Sequence, residues 1–134
     1  MKLLIIRHGQ SEGDITGVIE GRYDAELTEL GIKQAKLMAD WVAERYSIDK
    51  IFASPLKRVR KVAEILSERI NMDIIFDDEL MEWNTGLISG LSKEEARTKY
   101  PAPEVKFPHT AVYEQESDIQ LRMRAETVLS RLIG

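Results

Sequence analysis

Three short apolar runs, at residues 3–6, 51–53 and 74–76, are separated by stretches whose apolar residues recur every three or four positions. That alternation constrains the fold more than any other feature of the chain. Runs this short suit strands covered on both faces. Strand, helix, strand, helix, strand in sequence predicts an α/β fold with a mainly parallel sheet between helices. The first long helix is expected over residues 28–46, capped by Thr28, with Ile32, Ala35, Val42 and Tyr46 on its inner stripe. Gly31 weakens its first turn. For the second, Ser54 offers an N-cap and Pro55 a first helical position, and Leu56, Val59, Ala63, Leu66 and Ile70 follow at helical spacing. Ser92 with Glu95, and Ser117 with Gln120, form capping boxes for two further helices. Residues 9–27 and 101–116 read as loops. The 134 residues show no repeat and no boundary, which predicts one domain over residues 1–134.

Composition narrows the chemistry. The absence of cysteine removes disulfides and thiolate metal sites, and a net charge of -4 argues against a nucleic-acid or membrane-surface partner. His8 and His109 show no metal-ligand spacing, so neither a metal nor a cofactor is expected. No apolar stretch approaches a signal segment or a membrane span, so a cytoplasmic location is the default expectation.

The candidate chemistry sits at the end of the first apolar run. Arg7 and His8 close it, Ser54 follows the second run, and Arg58 falls in the first turn of the helix behind. In parallel sheets ligands bind at the carboxyl ends of the strands. Two guanidiniums, an imidazole and a helix N-terminus on that edge suit phosphate oxygens. A neutral imidazole beside a bound phosphoryl group is a nucleophile.

The segments LIIRHGQSE, EGRYDAELTELGIKQA, ASPLKR and DDELMEW, in that order, resemble successive motifs of the histidine phosphatase superfamily, which includes the cofactor-dependent phosphoglycerate mutases. The resemblance implies a three-layer α/β/α sandwich. It implies His8 as the residue that becomes phosphohistidine, with Arg7 and Arg58 clamping the phosphoryl oxygens. Glu82 matches the acid that protonates the leaving alkoxide, a role that supplies ~10²–10⁴ in rate. Ser11 and Gly21 match positions lining the pocket entrance. Glu116, Ser117 and Arg124 resemble a Gly-Glu-Ser…Arg segment in which Gln115 replaces the glycine.

Two departures qualify this. Asp14 stands where many members carry Asn. The family's second catalytic histidine, on a later Ser-His-Gly strand between the strands matching residues 3–6 and 51–53, has no counterpart, because His109 precedes Ser117 in a proline-rich loop. The expectation is a domain truncated at its C-terminus, with phosphomonoester hydrolysis as the ancestral activity and weak or absent turnover by this chain. The short span between Glu82 and Glu116 favours a phosphatase over a mutase. The alternative is a non-catalytic phosphate-binding or interaction module. The expected partner is a small phosphorylated metabolite, and an open edge beside residues 3–6 would permit a strand-sharing homo-oligomer.

Overall fold

A computed structural model describes residues 1–134. Its elements are α1 (Glu12–Thr16), α2 (Glu29–Arg45), β1 (Ile51–Ala53), α3 (Lys57–Ile70), β2 (Ile74–Phe76), α4 (Lys93–Lys99) and α5 (Asp118–Ile133), with single 3₁₀ turns at Asp78–Leu80 and Gly86–Ile88. β1 and β2 pair in parallel, Ile51 opposite Ile74, so β1–α3–β2 is a crossover unit. The fold is the expected α/β one, and α2 packs along α3 above the sheet.

Core formation follows the sequence stripes. Ala39 and Val42 of α2, Ile51 and Ala53 of β1, and Ala63 and Leu66 of α3 form one buried cluster. Leu27, Ala35 and Val62 form a second. Ile6 packs against both. Burial in β1 alternates instead of covering both faces: Ile51 and Ala53 are buried while Phe52 is 38% exposed, and in β2 both Ile75 and Phe76 are exposed. In β1 that is the period-two patterning of a strand covered on one face.

The first apolar run departs from expectation. Residues 3–6 form no strand, residues 1–9 make no backbone–backbone hydrogen bond, and Ile5 is 89% exposed. A strand exists only through a neighbour's ladder. Here β2 is the only strand paired with β1, and no segment pairs with residues 3–6.

Helix ends obey local rules with one exception. Thr28 Oγ1 accepts from Gly31 N at 3.0 Å, and both expected capping boxes form, Ser92 with Glu95 and Ser117 with Gln120. Asn71 ends α3 in the left-handed region, φ 53°. The exception is the start of α3. Leu56, not Ser54, is its N-cap residue and has no capping side chain, and the Lys57 N–H is taken by Asp24 Oδ1 at 2.7 Å. Ser54 Oγ accepts from Leu56 N within the preceding turn. A carboxylate from a distant loop thus caps this helix, with the charge sign its dipole favours. No helix is long and apolar enough to cross a membrane.

Candidate active site

His8 is held by its own neighbour and by α3. Its Nδ1 lies 2.7 Å from the Gly9 carbonyl, and its Nε2 lies 3.3 Å from Arg58 Nε. A carbonyl can only accept, so Nδ1 carries the proton. Nε2 is then left with a lone pair, to which Arg58 donates. The backbone has therefore selected the tautomer in which Nε2 can attack. The segment is seated by glycines: a Cβ on Gly31 would strike the Gln10 carbonyl oxygen, and Gly9 lies against Gly31 and Gln34. Gln10 N donates to Gln34 Oε1 at 2.9 Å, and Thr28 N to the Gln10 carbonyl at 3.1 Å. The N-terminal half of α2 thereby fixes the segment that carries His8.

Arg58 is 1% exposed. Its Nη1 donates to the Tyr23 carbonyl at 2.9 Å and its Nη2 to the Gly21 carbonyl at 2.7 Å, leaving Nε toward His8 and, at 3.5 Å, Glu20 Oε2. The guanidinium fork is committed to the backbone and only one edge faces the imidazole. Gly21 earns its place by conformation, with φ 49° and with a Cβ position that would collide with Thr85. Its close approach lets the 17–27 loop lie against the 84–91 segment, where Ile19 N donates to Leu91 O and Gly90 N to Ile19 O.

Ser11 is fully buried and caps α1, which interrupts what the sequence reads as continuous loop. It forms a capping box with Asp14: Ser11 N donates to Asp14 Oδ2 at 2.9 Å, and Asp14 N to Ser11 Oγ at 3.2 Å. The Ser11 N–H lowers the Asp14 carboxyl below its usual range against the effect of burial, and the Arg7 charge adds to this. The carboxylate that departs from the common Asn is thus a capping group at the pocket wall. The Ser11 hydroxyl also donates to Glu20 Oε1.

The other predicted residues lie apart. Arg7 is exposed and makes no hydrogen bond. With His8, Gly9, Gln10 and Asp14 it lines a cavity of about 480 Å³ backed by Gln34, Ala35, Met38 and Val62. Arg58 does not line it, so the two guanidiniums flank His8 without meeting. The α3 N-terminus, expected to face an anion, is occupied by Asp24. Glu82 is exposed, accepts from Trp83 N at 2.8 Å, and makes no hydrogen bond to His8 or either arginine. His109 is exposed and stacked on Phe107, so no second imidazole accompanies His8.

The Glu82 loop is nevertheless firmly held. Arg124 on α5 binds both carboxylate oxygens of Glu116 at 2.8 Å and donates to the Glu79 and Met81 carbonyls at 2.6 and 2.7 Å. Trp83 Nε1 donates to the Glu116 carbonyl at 2.6 Å, Glu116 N donates to the Asn84 carbonyl at 2.9 Å, and Asn84 N donates to Glu116 Oε2 at 3.3 Å. The Arg124 bonds hold the Glu116 carboxyl below its usual range against the effect of burial, and Arg124 is raised in return. No group of three or more His, Asp or Glu side chains is placed to hold a metal ion. Sequence reasoning missed Glu20 altogether; its only signal is a carboxylate directly before a glycine, which becomes meaningful once Gly17 and Gly21 turn the chain back over Ser11.

Comparison with known proteins follows the same lines. The sequence pattern of the histidine phosphatase superfamily (branch 1) matches residues 3–134. Phosphoserine phosphatase 1 of Hydrogenobacter thermophilus is 39% identical over 101 residues, covering 75% of this chain and 47% of the relative. A phosphoglycerate mutase of Schizosaccharomyces pombe is 36% identical over 109 residues, covering 78% of this chain and 52% of the relative. The chain spans about half the length of these curated relatives. Among solved structures, a mycobacterial glucosyl-3-phosphoglycerate phosphatase in complex with VO3 superposes with TM-score 0.81 at 26% identity, covering 94% of this chain and 61% of its own. A putative alpha-ribazole-5'-P phosphatase of Escherichia coli shares the fold with TM-score 0.85 at 24% identity, covering 95% of this chain and 64% of its own.

Proposed function

The chain belongs to branch 1 of the histidine phosphatase superfamily, and from that premise we propose that it acts on phosphomonoesters by taking the phosphoryl group onto His8. The observation that carries this reading is the tautomer: Nδ1–H on the Gly9 carbonyl and a lone pair on Nε2 beside Arg58. The His8 Nε2 forms the new bond to phosphorus as the ester oxygen leaves. Glu82 gives that oxygen its proton, moving off the Trp83 N–H to do so. Water then attacks the phosphohistidine, Glu82 takes the water's proton, and orthophosphate and neutral His8 are restored. Arg58 Nε and Arg7 stabilise the charge on the phosphoryl oxygens, a contribution of ~10²–10³ in rate for one well-placed donor. Ser11 and Gly21 shape the wall by holding α1 and the Arg58 fork. The substrate class is a small phosphorylated metabolite of the cytoplasm, and relatives named as phosphatases and as mutases leave hydrolysis favoured by the short Glu82–Glu116 span.

The test is a trapping experiment. The chain is incubated with ³²P-labelled phosphomonoester, quenched in base, and assayed for acid-labile phosphate. Label that maps to His8 and disappears in His8→Ala supports the reading. Orthophosphate binding with no label on His8 would instead mark a binding module.

A further inference from the structure

Glu20 has no part in the reaction just described, yet it sits in the middle of its machinery. Its side chain is 15% exposed. One oxygen accepts from the fully buried Ser11 hydroxyl, and the other lies 3.5 Å from Arg58 Nε. Its Cγ and Cδ press on Gly13, where an added Cβ would fall 2.6 and 2.8 Å from them. The carboxylate is therefore packed between Ser11 and Arg58, and a side chain at residue 13 would force it to shift.

The seat matters because of what remains of Arg58. Its two terminal nitrogens are bound to the Tyr23 and Gly21 carbonyls, so Nε–H is the donor that a phosphoryl group on His8 would use. Glu20 Oε2 forms an ion pair with that nitrogen at 3.5 Å, while the N–H itself is directed at His8 Nε2. A carboxylate this close to the guanidinium opposes an incoming anion twice, by partly neutralising the cation and by like-charge repulsion.

We propose that Glu20 is an internal counter-anion of the phosphate seat: held by the Ser11 hydroxyl beside the Arg58 guanidinium, its charge limits how tightly the site binds an anionic phosphoryl group. The proposal rests on the reading of His8 and Arg58 as that seat. Its consequence is a site that holds orthophosphate weakly and so releases product readily. A purely structural Glu20 would have the opposite signature, because losing it would loosen Arg58 and weaken phosphate binding.

The experiment is a titration of the chain with inorganic orthophosphate at neutral pH, in a phosphate-free buffer, followed by the imidazole resonances of His8. Glu20→Gln keeps an acceptor for Ser11 and removes the charge. It should bind orthophosphate about tenfold more tightly, the order expected for one unit charge a few ångströms away at a partly hydrated site. Gly13→Ala keeps every charge and forces the side chain to shift, and should also bind more tightly than the native chain. Equal or weaker affinity in both variants overturns the role of Glu20 and leaves the seat standing. No response of His8 in the native chain or either variant overturns the seat itself, and this proposal with it.

Discussion

Arg58 Nε lies 3.3 Å from His8 Nε2, while the rest of the guanidinium is bound to two backbone carbonyls. One residue thus positions the imidazole and pins the loop carrying Gly21 and Tyr23. These two tasks separate in substitution. Arg58→Lys retains a charge but lacks the planar fork, and cannot reach both carbonyls and His8 together. Phosphorylation of His8 should fall by ~10²–10³, the cost of one lost transition-state donor. Arg58→Met leaves the Gly21 and Tyr23 carbonyls and the Glu20 carboxylate without their cation, which should cost about 3 kcal/mol of stability by the measure of broken buried pairs. Urea midpoints for the two variants, set beside trapped-phosphate yields, check both statements.

Gly31→Ala tests how the His8 segment is seated. Helix propensity alone would favour alanine by about 1 kcal/mol. The added Cβ, however, would meet the Gln10 carbonyl oxygen and lie 3.1 Å from its carbon. Both partners are backbone, so neither can give way cheaply. The net effect should be destabilising by about 1–3 kcal/mol, the range of overpacked cores. Thermal unfolding measures it, and a higher melting temperature would show that the close approach of α2 to Gln10 does not exist.

Gly31 also shows where sequence reading stops. In the sequence it is a weak point in a helix, and only the position of Gln10 explains it. Capping boxes at Ser92 and Ser117 were legible because donor and acceptor lie three residues apart. The helical stripe of α3 was legible because spacing alone defines a face. The start of α3 was not, since its capping carboxylate, Asp24, comes from another loop. His8 and Arg58 come together as the order of elements implied. Glu20 stayed invisible because its partners Ser11 and Arg58 lie on different elements, and Asp14 read as an oddity until α1 gave it a helix to cap.

The Glu116–Arg124 pair predicts a pH effect of known sign. Hydrogen bonds from Arg124 lower the Glu116 carboxyl in the folded chain. A group so depressed contributes its full stability above its unfolded pKa, and loses it as pH falls through the folded value. Native stability should therefore decline below the ordinary glutamate range, and Glu116→Gln should decline less steeply there. At neutral pH that variant should be less stable by about 2 kcal/mol, the scale of a hydrogen bond to a charged group. Trp83, whose indole donates to the Glu116 carbonyl, reports the same loosening by fluorescence. Identical acid limbs for the two chains would show that the pair carries none of the acid sensitivity.

The apolar run at residues 3–6 supplies the last prediction. Ile6 is anchored on both core clusters, yet residues 1–9 have no backbone partner and Ile5 faces solvent. Amide exchange depends on opening hydrogen bonds, and these amides have none to open. In dilute solution the amides of residues 3–6 should exchange at least ~100-fold faster than those of Val62 and Leu66, which lie in the hydrogen-bonded interior of α3. An unpaired apolar segment of this kind is also a template for another strand. Repeating the exchange at increasing protein concentration separates the two behaviours. Rates that stay fast at every concentration describe a segment held only by its side chains. Protection that grows with concentration, accompanied by a larger sedimentation coefficient, would mean that a second copy completes the ladder beside His8.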